Sequence, residues 1–133
     1  MGTVKILVST DGSELSDKAI DTAVELSMKL GAELIGMTCM LTDKKGDAVS
    51  VDSAVHDRLN VIERKAKEKN VPCLVTVVPT DSVAKGILEC AREHDVQFIV
   101  MASRGLGTIG SLLLGSETQK VLHDADRPVL IVR

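Results

Sequence analysis

Five short runs of mainly aliphatic residues constrain the fold of this chain more than any other feature. The runs span residues 4–8, 33–40, 73–78, 97–101 and 128–132, and longer stretches with helical spacing separate them. Runs of this length, rich in Val, Ile, Leu and Met, are typical of buried strands. Because strands that are apolar at nearly every position have no water-facing side, they predict a parallel sheet covered on both faces rather than a β-sandwich.

The stretches between the runs have recognisable helix ends and apolar stripes. Ser13 is a candidate N-cap for the first helix and Gly31 its left-handed stop, while the third helix is expected from about Ser82 to His94 and the fourth from about Ser116. The expected buried stripes are Ala19, Ile20, Ala23, Val24 and Met28, then Val55, Leu59, Ile62 and Ala66, then Ala84, Ile87, Leu88 and Ala91, and finally Val121, Leu122 and Ala125.

The second predicted helix also carries a charged face. Its charged residues are Arg58, Glu63, Lys65, Lys67 and Glu68. They lie away from the apolar stripe, so we expect this face to be solvated.

The order of elements is therefore βαβαβαβαβ. This order predicts a three-layer α/β/α fold with an open five-stranded parallel sheet. We expect residues 1–133 to form a single domain, because no linker or internal repeat interrupts the pattern. The irregular stretch at residues 41–50 is interpreted as a solvated connection, and a lid over a site at the strand ends is the alternative.

Composition restricts the core and the partners. Phe98 is the only aromatic residue, so the core must be almost wholly aliphatic and the bases of single-stranded nucleic acid find no stacking platform. The chain has 16 Lys and Arg against 19 Asp and Glu, a net charge of −3 that offers no basic face for a phosphate backbone. Nucleic acid is therefore not an expected partner.

The cysteines and the first residues bear on localisation. Three cysteines lie far apart, each in an apolar run: Cys39, Cys73 and Cys90. We expect them to be reduced and buried, as in a cytosolic protein. Asp11, Glu14 and Asp17 fall where a signal sequence would be apolar, and no run of about 18 apolar residues occurs. We therefore expect a soluble, cytoplasmic protein without a membrane segment.

Two polar segments follow predicted strands. Residues 9–13 follow the first strand and residues 102–111 follow the fourth. In open parallel sheets, ligands bind outside the carboxyl ends of the strands where the winding direction reverses. If the sheet winds outward from a central first strand, the two segments face each other across a crevice, and the binding site is expected there.

The second segment has the groups that bind an anion. Glycines allow backbone amides to approach a ligand closely, and Gly115 and Ser116 at a helix start add free amides and the positive end of the helix dipole. The glycines and hydroxyl residues are Gly105, Gly107, Gly110, Ser103, Thr108, Ser111, Ser116 and Thr118. We favour a phosphate site over the alternative, a flexible Gly/Ser loop before a capped helix.

The other motifs in the chain do not predict a dinucleotide, P-loop, serine-nucleophile or metal site. Residues 105–110 match G-x-G-x-x-G, but a dinucleotide fold needs a further βαβ unit and only one strand remains. No lysine follows Gly115 as a Walker A loop requires, and no G-x-S-x-G nucleophile motif occurs. His56, His94 and His123 lie on different predicted helices and form no metal cluster.

Asp11 has two interpretations. It can contact a ligand, or its side chain can bond the amides of its own turn. The glycine segment expected across the crevice favours the first.

The chain resembles the universal stress protein family along its whole length. The resemblance rests on residues 5–13 (KILVSTDGS), on Gly105 followed after nine residues by Gly115 and Ser116, and on residues 127–132 (RPVLIV). ATP-binding members carry G-x-x-G, nine residues, then G-S or G-T, and here Ala102 replaces the first glycine. The resemblance implies a Rossmann-like sheet of the adenine nucleotide α-hydrolase type with strand order 3-2-1-4-5.

The resemblance also implies an ATP site, with Mg²⁺ as a possible companion of the phosphates. Ser9, Thr10 and Asp11 would lie by the adenine and ribose, and Cys39 would offer backbone groups to the base. The residues implied for the ribose and phosphates are Ala102, Ser103, Arg104, Gly105, Leu106, Gly107, Thr108, Gly115, Ser116, Glu117 and Thr118. Without Trp or Tyr, the adenine would lie in an aliphatic slot.

Two site residues raise questions for nucleotide binding. If position 102 needs a positive φ or the closest backbone approach, the methyl group of Ala102 costs about 1 kcal/mol or more and weakens ATP binding. Glu117 lies beside the expected phosphates, where it is compatible with them only if its side chain points away.

Three functional hypotheses follow. The leading one is a homodimeric, ATP-binding stress protein that acts as a regulator, with subunits joined through the exposed apolar edge at residues 129–132. Arg127, Pro128 and Arg133 could instead protect that edge in a monomer. The second hypothesis is a homodimeric interaction module that binds no nucleotide, and the third is a slow ATP hydrolase or phosphotransferase that uses Asp11.

Overall fold

The computed structural model describes residues 3–43, 45, 52–105 and 114–133. Strands and helices alternate over these residues. They are β1 (Lys5–Ser9), α1 (Glu14–Leu30), β2 (Glu33–Leu41), α2 (Asp52–Glu68), β3 (Cys73–Thr80), α3 (Val83–Glu93), β4 (Phe98–Ala102), α4 (Ser116–Asp124) and β5 (Val129–Val132).

The strands form one parallel sheet in the order β3-β2-β1-β4-β5. β1 is therefore central, with Ile6 opposite Leu34 of β2 and Phe98 of β4. The sequence-based prediction of the fold class and of the strand order is confirmed. Because β1 and β4 are neighbours, the segments that follow them meet at the carboxyl edge of the sheet.

The core lies in two layers, one on each face of the sheet. Ile6 and Val8 of β1 pack with α1 and α2, whereas Leu7 packs on the opposite face with α3 and α4. All three side chains are fully buried. A central strand covered on both faces explains why its sequence is an unbroken apolar run rather than an alternating one.

The helix ends follow the predicted caps. The Ser13 hydroxyl accepts a hydrogen bond from the backbone N–H of Ser16 at 3.2 Å, and Gly31 ends α1 with a φ of 63°. The Ser82 hydroxyl accepts from the backbone N–H of Lys85 at 3.4 Å and starts α3. These caps fix where each helix meets the loops at the edge of the sheet.

Four residues that were expected to be buried are not: Met28 and Leu122 are exposed, and Cys73 and Ala125 are half-buried. Met28 is 48% exposed because Ser27 continues the buried stripe of α1 in its last turn. Leu122 is 41% exposed because the short helix α4 buries only Thr118 and Val121, one turn apart. Cys73, at the start of the edge strand β3, is half-buried rather than buried.

Two further predictions, on the connection at residues 41–50 and on membrane segments, can be compared only with the described residues. The connection at residues 41–50 falls largely outside them, so neither the solvated loop nor the lid is tested. Among the helices that are described, none is long and apolar enough to cross a membrane.

Candidate functional site

A cavity of about 330 Å³ opens at the carboxyl ends of the central strands. Cavities of this size hold small organic ligands. It is lined by eleven predicted site residues: Ser9, Thr10, Asp11, Cys39, Ala102, Arg104, Gly105, Gly115, Ser116, Glu117 and Thr118. Ser103 is buried and is not among the lining residues. The predicted residues Leu106, Gly107, Thr108, Gly110 and Ser111 lie outside the described part of the chain.

The turn after β1 is held by its own side chains. The Thr10 hydroxyl accepts a hydrogen bond from the backbone N–H of Gly12 at 3.1 Å, and Asp11 Oδ1 accepts from the backbone N–H of Ser13 at 2.9 Å. One carboxylate oxygen of Asp11 therefore does bond its own turn, as one of the two interpretations expected. This bond fixes the direction in which Oδ2 points.

Asp11 Oδ2 points at the segment after β4. It lies in the space that a Cβ of Gly105 would occupy. The two segments thus face each other across the crevice between β1 and β4, as the predicted topology required. Gly105 is needed here because it has no side chain to displace the carboxylate.

The start of α4 forms another wall of the cavity. Its N-cap residue, Gly115, makes no side-chain hydrogen bond, in contrast to the serine caps of α1 and α3. The Thr118 hydroxyl donates to the backbone carbonyl of Ala102 at 3.0 Å and ties α4 to the end of β4. A helix start without a side-chain cap presents amides and positive dipole to an anion.

Glu117 turns toward α3 rather than toward its own helix start. Its Oε2 accepts a hydrogen bond from the backbone N–H of Ala84 at 3.0 Å, and its Oε1 lies 3.3 Å from Lys120 Nζ. The carboxylate therefore caps α3 from outside, although the residue still lines the cavity. The acidic side chain at this position therefore links α4 to the start of α3, which the sequence alone does not reveal.

Ala102 ends β4 without backbone strain. It pairs with Val132 of β5, is buried, and is not among the described non-glycine residues with positive φ, which are Asn70 and Asp95. The strain expected from a positive φ at this position therefore does not arise. The replaced glycine changes the surface of the cavity by one methyl group and leaves the strand intact.

Cys39 lies at the end of β2 with its thiol in the cavity wall. Burial, with smaller contributions from Cys90 and Glu117, raises the pKa of Cys39 to about 12. Its Sγ lies 3.8 Å from the backbone carbonyl of Val83. The thiol is therefore neutral at physiological pH and behaves as a small apolar side chain.

Apolar side chains line the cavity between the two loops. They are Met37, Leu41, Val83, Ile87 and Met101. An apolar cleft is therefore present between the two loops, and its occupation by adenine stays a prediction. Among the described residues, no group of three or more His, Cys, Asp and Glu is placed to hold a metal ion.

Arg58 belongs to the cavity although the sequence analysis placed it on the solvated face of the second helix. That prediction is wrong, since Arg58 is half-buried and lines the cavity beside the turn after β1. One feature of the sequence could have indicated this position. Arg58 immediately precedes the buried Leu59 and lies in the first half of α2. In a βαβ unit the helix starts at the carboxyl edge of the sheet, so residues beside its buried stripe face the site.

Comparisons with known proteins identify the family. A family model described as "Universal stress protein family" matches residues 3–133. The universal stress protein YxiE of Bacillus subtilis is 33% identical over 97% of this chain and 98% of its own length.

Solved structures agree on the fold. A universal stress protein of Archaeoglobus fulgidus in complex with dAMP has a TM-score of 0.78 at 16% identity and covers all of both chains. A universal stress protein in complex with cAMP has a TM-score of 0.78 at 24% identity, covering 100% of this chain and 99% of that one. With the family model matching nearly every residue and the strand order the same as the resemblance implied, the chain belongs to the universal stress protein family.

Proposed function

We propose that this protein binds an adenine nucleotide, ATP with Mg²⁺ beside its phosphates, in the cavity between the turn after β1 and the segment after β4. The nucleotide-bound state would serve the stress response as a regulator or interaction module of the cytoplasm, formed by the single domain of residues 1–133. The observation that carries the proposal is that Asp11 and Gly105 approach each other in the wall of a cavity that is also lined by the uncapped start of α4.

The two ends of the cavity suit the two ends of a nucleotide. The Ser116 hydroxyl and the backbone amides at the start of α4, with Arg104 nearby, suit phosphate oxygens. The apolar wall formed by Met37 and Ile87 suits a base. Two structurally similar universal stress proteins form complexes with dAMP and with cAMP, which supports an adenine nucleotide as the ligand class.

The proposal is tested with freshly purified protein. Nucleotide is extracted by acid and identified by chromatography, and ATP is then titrated by calorimetry with and without Mg²⁺. We expect bound adenine nucleotide or millimolar or tighter affinity, and we expect Asp11→Ala to lower it. Absence of extracted nucleotide together with no binding at millimolar ATP would contradict the proposal.

A second candidate is an interaction module that binds no nucleotide. Two features favour it: the methyl group of Ala102 in the cavity wall and the carboxylate of Glu117 beside the expected phosphates. Under this hypothesis neither the native protein nor Ala102→Gly binds ATP, whereas the first hypothesis predicts binding by both.

The third candidate, a slow ATP hydrolase or phosphotransferase, predicts a different result. Asp11→Asn would then abolish turnover while binding remains. We expect any hydrolysis to be slow and to depend on positioning, because the sequence offers no evident general base.

We further propose that two copies pair through β5. Among the described strands, β5 is paired with β4 on one side only, and Leu130 is 39% exposed on this edge. An exposed apolar edge strand favours association with a second copy. We expect light scattering to give a dimer for the native chain and a monomer for Leu130→Lys, and a monomeric native chain would contradict the pairing.

A further inference from the structure

We propose that Arg58 supplies the flat cationic face on which the base of the bound adenine nucleotide stacks. This inference rests on the adenine-nucleotide site proposed above and assigns one residue the role that an aromatic side chain has in many base-binding sites. The chain has a single aromatic residue, Phe98, at the start of β4. It lies at the amino end of its strand, away from the cavity at the carboxyl ends.

Arg58 reaches the cavity because Gly12 has no side chain. Its Nε, Cγ and Cδ lie 3.0, 3.5 and 3.7 Å from the point where a Cβ of Gly12 would stand. Gly12 has a φ of 86°, a conformation that other residues rarely adopt. The Arg58 side chain, from Cγ to Nε, therefore lies over the backbone of Gly12 in the turn after β1.

The guanidinium remains available for a ligand. Over the described residues, no carboxylate lies within ion-pair distance of Arg58, in contrast to Lys65 of the same helix, which lies 2.7 Å from Asp21 Oδ1. Arg58 is nonetheless half-buried and lines the cavity. A guanidinium that lines the cavity and has no carboxylate partner in the described part of the chain is placed to contact what the cavity holds.

The sheet order places Arg58 at the base end of the cavity. The uncapped start of α4 follows β4, on one side of the central strand β1. Arg58 lies over the turn after β1 and belongs to α2, whose Ile62 lies against Gly36 of β2, on the other side of β1. Phosphates held at α4 therefore leave the base on the side of β2, beside Arg58.

The chemistry of arginine fits this position better than that of lysine. A guanidinium is planar, delocalised and weakly hydrated, so it stacks on an aromatic ring, whereas an ammonium is a strongly hydrated point charge. Stacked cations contribute about 3- to 30-fold in affinity. We therefore expect Arg58 to contribute to binding of the base whatever number of phosphates the ligand carries.

The test compares adenosine, AMP and ATP by calorimetry on the native protein, Arg58→Ala, Arg58→Met and Arg58→Lys. Met keeps an apolar stem over Gly12 without the guanidinium. We expect all three substitutions to weaken adenosine binding by about 3- to 30-fold. AMP and ATP should lose at least as much, because Arg58→Ala and Arg58→Met also remove a positive charge from the site. Arg64→Ala, at an exposed position of the same helix, is the matched control and leaves affinity unchanged. Urea unfolding of each variant shows that the fold is retained.

Other outcomes overturn the proposal in distinguishable ways. If Arg58→Ala weakens ATP but spares adenosine, and Arg58→Lys restores ATP binding, then Arg58 holds phosphates and not the base. If no Arg58 variant changes any affinity, the stacking role is wrong while the nucleotide site stands. If the native protein binds none of the three ligands, both this inference and the proposed function fail.

Discussion

One carboxylate oxygen of Asp11 occupies the space in which a side chain at Gly105 would stand. The same carboxylate is held through its other oxygen by the backbone N–H of Ser13, at 2.9 Å. Because one oxygen is fixed by the turn after β1, the other cannot yield without breaking that bond. The shape of the cavity wall between the turn after β1 and the segment after β4 therefore depends on the pair formed by Asp11 and Gly105.

Gly105→Ala tests this dependence. The added methyl group must displace the Asp11 carboxylate, so a charged hydrogen bond that contributes about 1.5–3 kcal/mol is put at risk. We expect affinity for ATP to fall about tenfold or more, and the urea midpoint to fall as well, because the bond from Ser13 to Asp11 also stabilises the fold.

Gly31→Ala is the control for Gly105→Ala. Gly31 has a φ of 63° and nothing within 4 Å of its would-be Cβ. Alanine there should cost about 1–2 kcal/mol of stability and leave ATP affinity unchanged. Equal affinities of native protein and Gly105→Ala would show that the two loops do not act together.

The fold could be predicted because its signals are local. Unbroken apolar runs mark strands covered on both faces, and Ser13 and Gly31 mark helix ends by hydrogen bonds within a few residues. The predicted burial of Met28 and Leu122 was wrong. A helical repeat identifies the apolar stripe of a helix, but it does not show where the sheet beneath that stripe ends.

The site could be predicted only in part, because some of its contacts join residues far apart in sequence. Asp11 and Gly105 could be paired once the strand order was inferred. The bond from Ala84 to Glu117 depends on how α3 and α4 pack, which no local pattern encodes. The position of Arg58 in the first half of α2 indicated the carboxyl edge of the sheet but not its contact with Gly12.

Ala102→Gly should alter stability more than binding. Ala102 is buried at the end of β4 and has no positive φ, so glycine relieves no strain there. Loss of a buried methyl group and the added freedom of the unfolded chain should together cost about 1–2 kcal/mol. We expect urea unfolding to show this loss, while calorimetry gives an ATP affinity within about threefold of the native value. A tenfold gain in affinity would mean that the methyl group obstructs the ligand.

Glu117→Gln should strengthen ATP binding more than adenosine binding. Glutamine keeps an oxygen that accepts the backbone N–H of Ala84 but removes a negative charge from the wall beside the proposed phosphates. At several ångströms and partial exposure, the removed repulsion corresponds to about 3- to 10-fold in ATP affinity. The ratio of ATP to adenosine affinities in each protein gives the answer directly. An unchanged ratio would place the phosphates away from α4.

The buried thiols predict a loss of stability at alkaline pH. Burial is the largest cause that raises the pKa of Cys39 to about 12 and that of Cys90 to about 11, from 9.0 in the unfolded chain. Because the folded pKa is the higher one, the folded state keeps protons that the unfolded state releases. The stabilisation is complete below pH 9 and is lost as the pH rises from there toward the folded values.

Urea unfolding at pH 8 and pH 10 measures this loss. For each thiol that stays neutral in the folded state and ionises in the unfolded state, the free energy of unfolding should fall by about 1 kcal/mol from pH 8 to pH 10. No tyrosine titrates in this range, because the chain has none. Cys39→Ala lowers stability at both pH values through the cavity it leaves, but it should lose less than the native protein between them. Equal losses in the two proteins would show that Cys39 ionises in the folded state as readily as in the unfolded one.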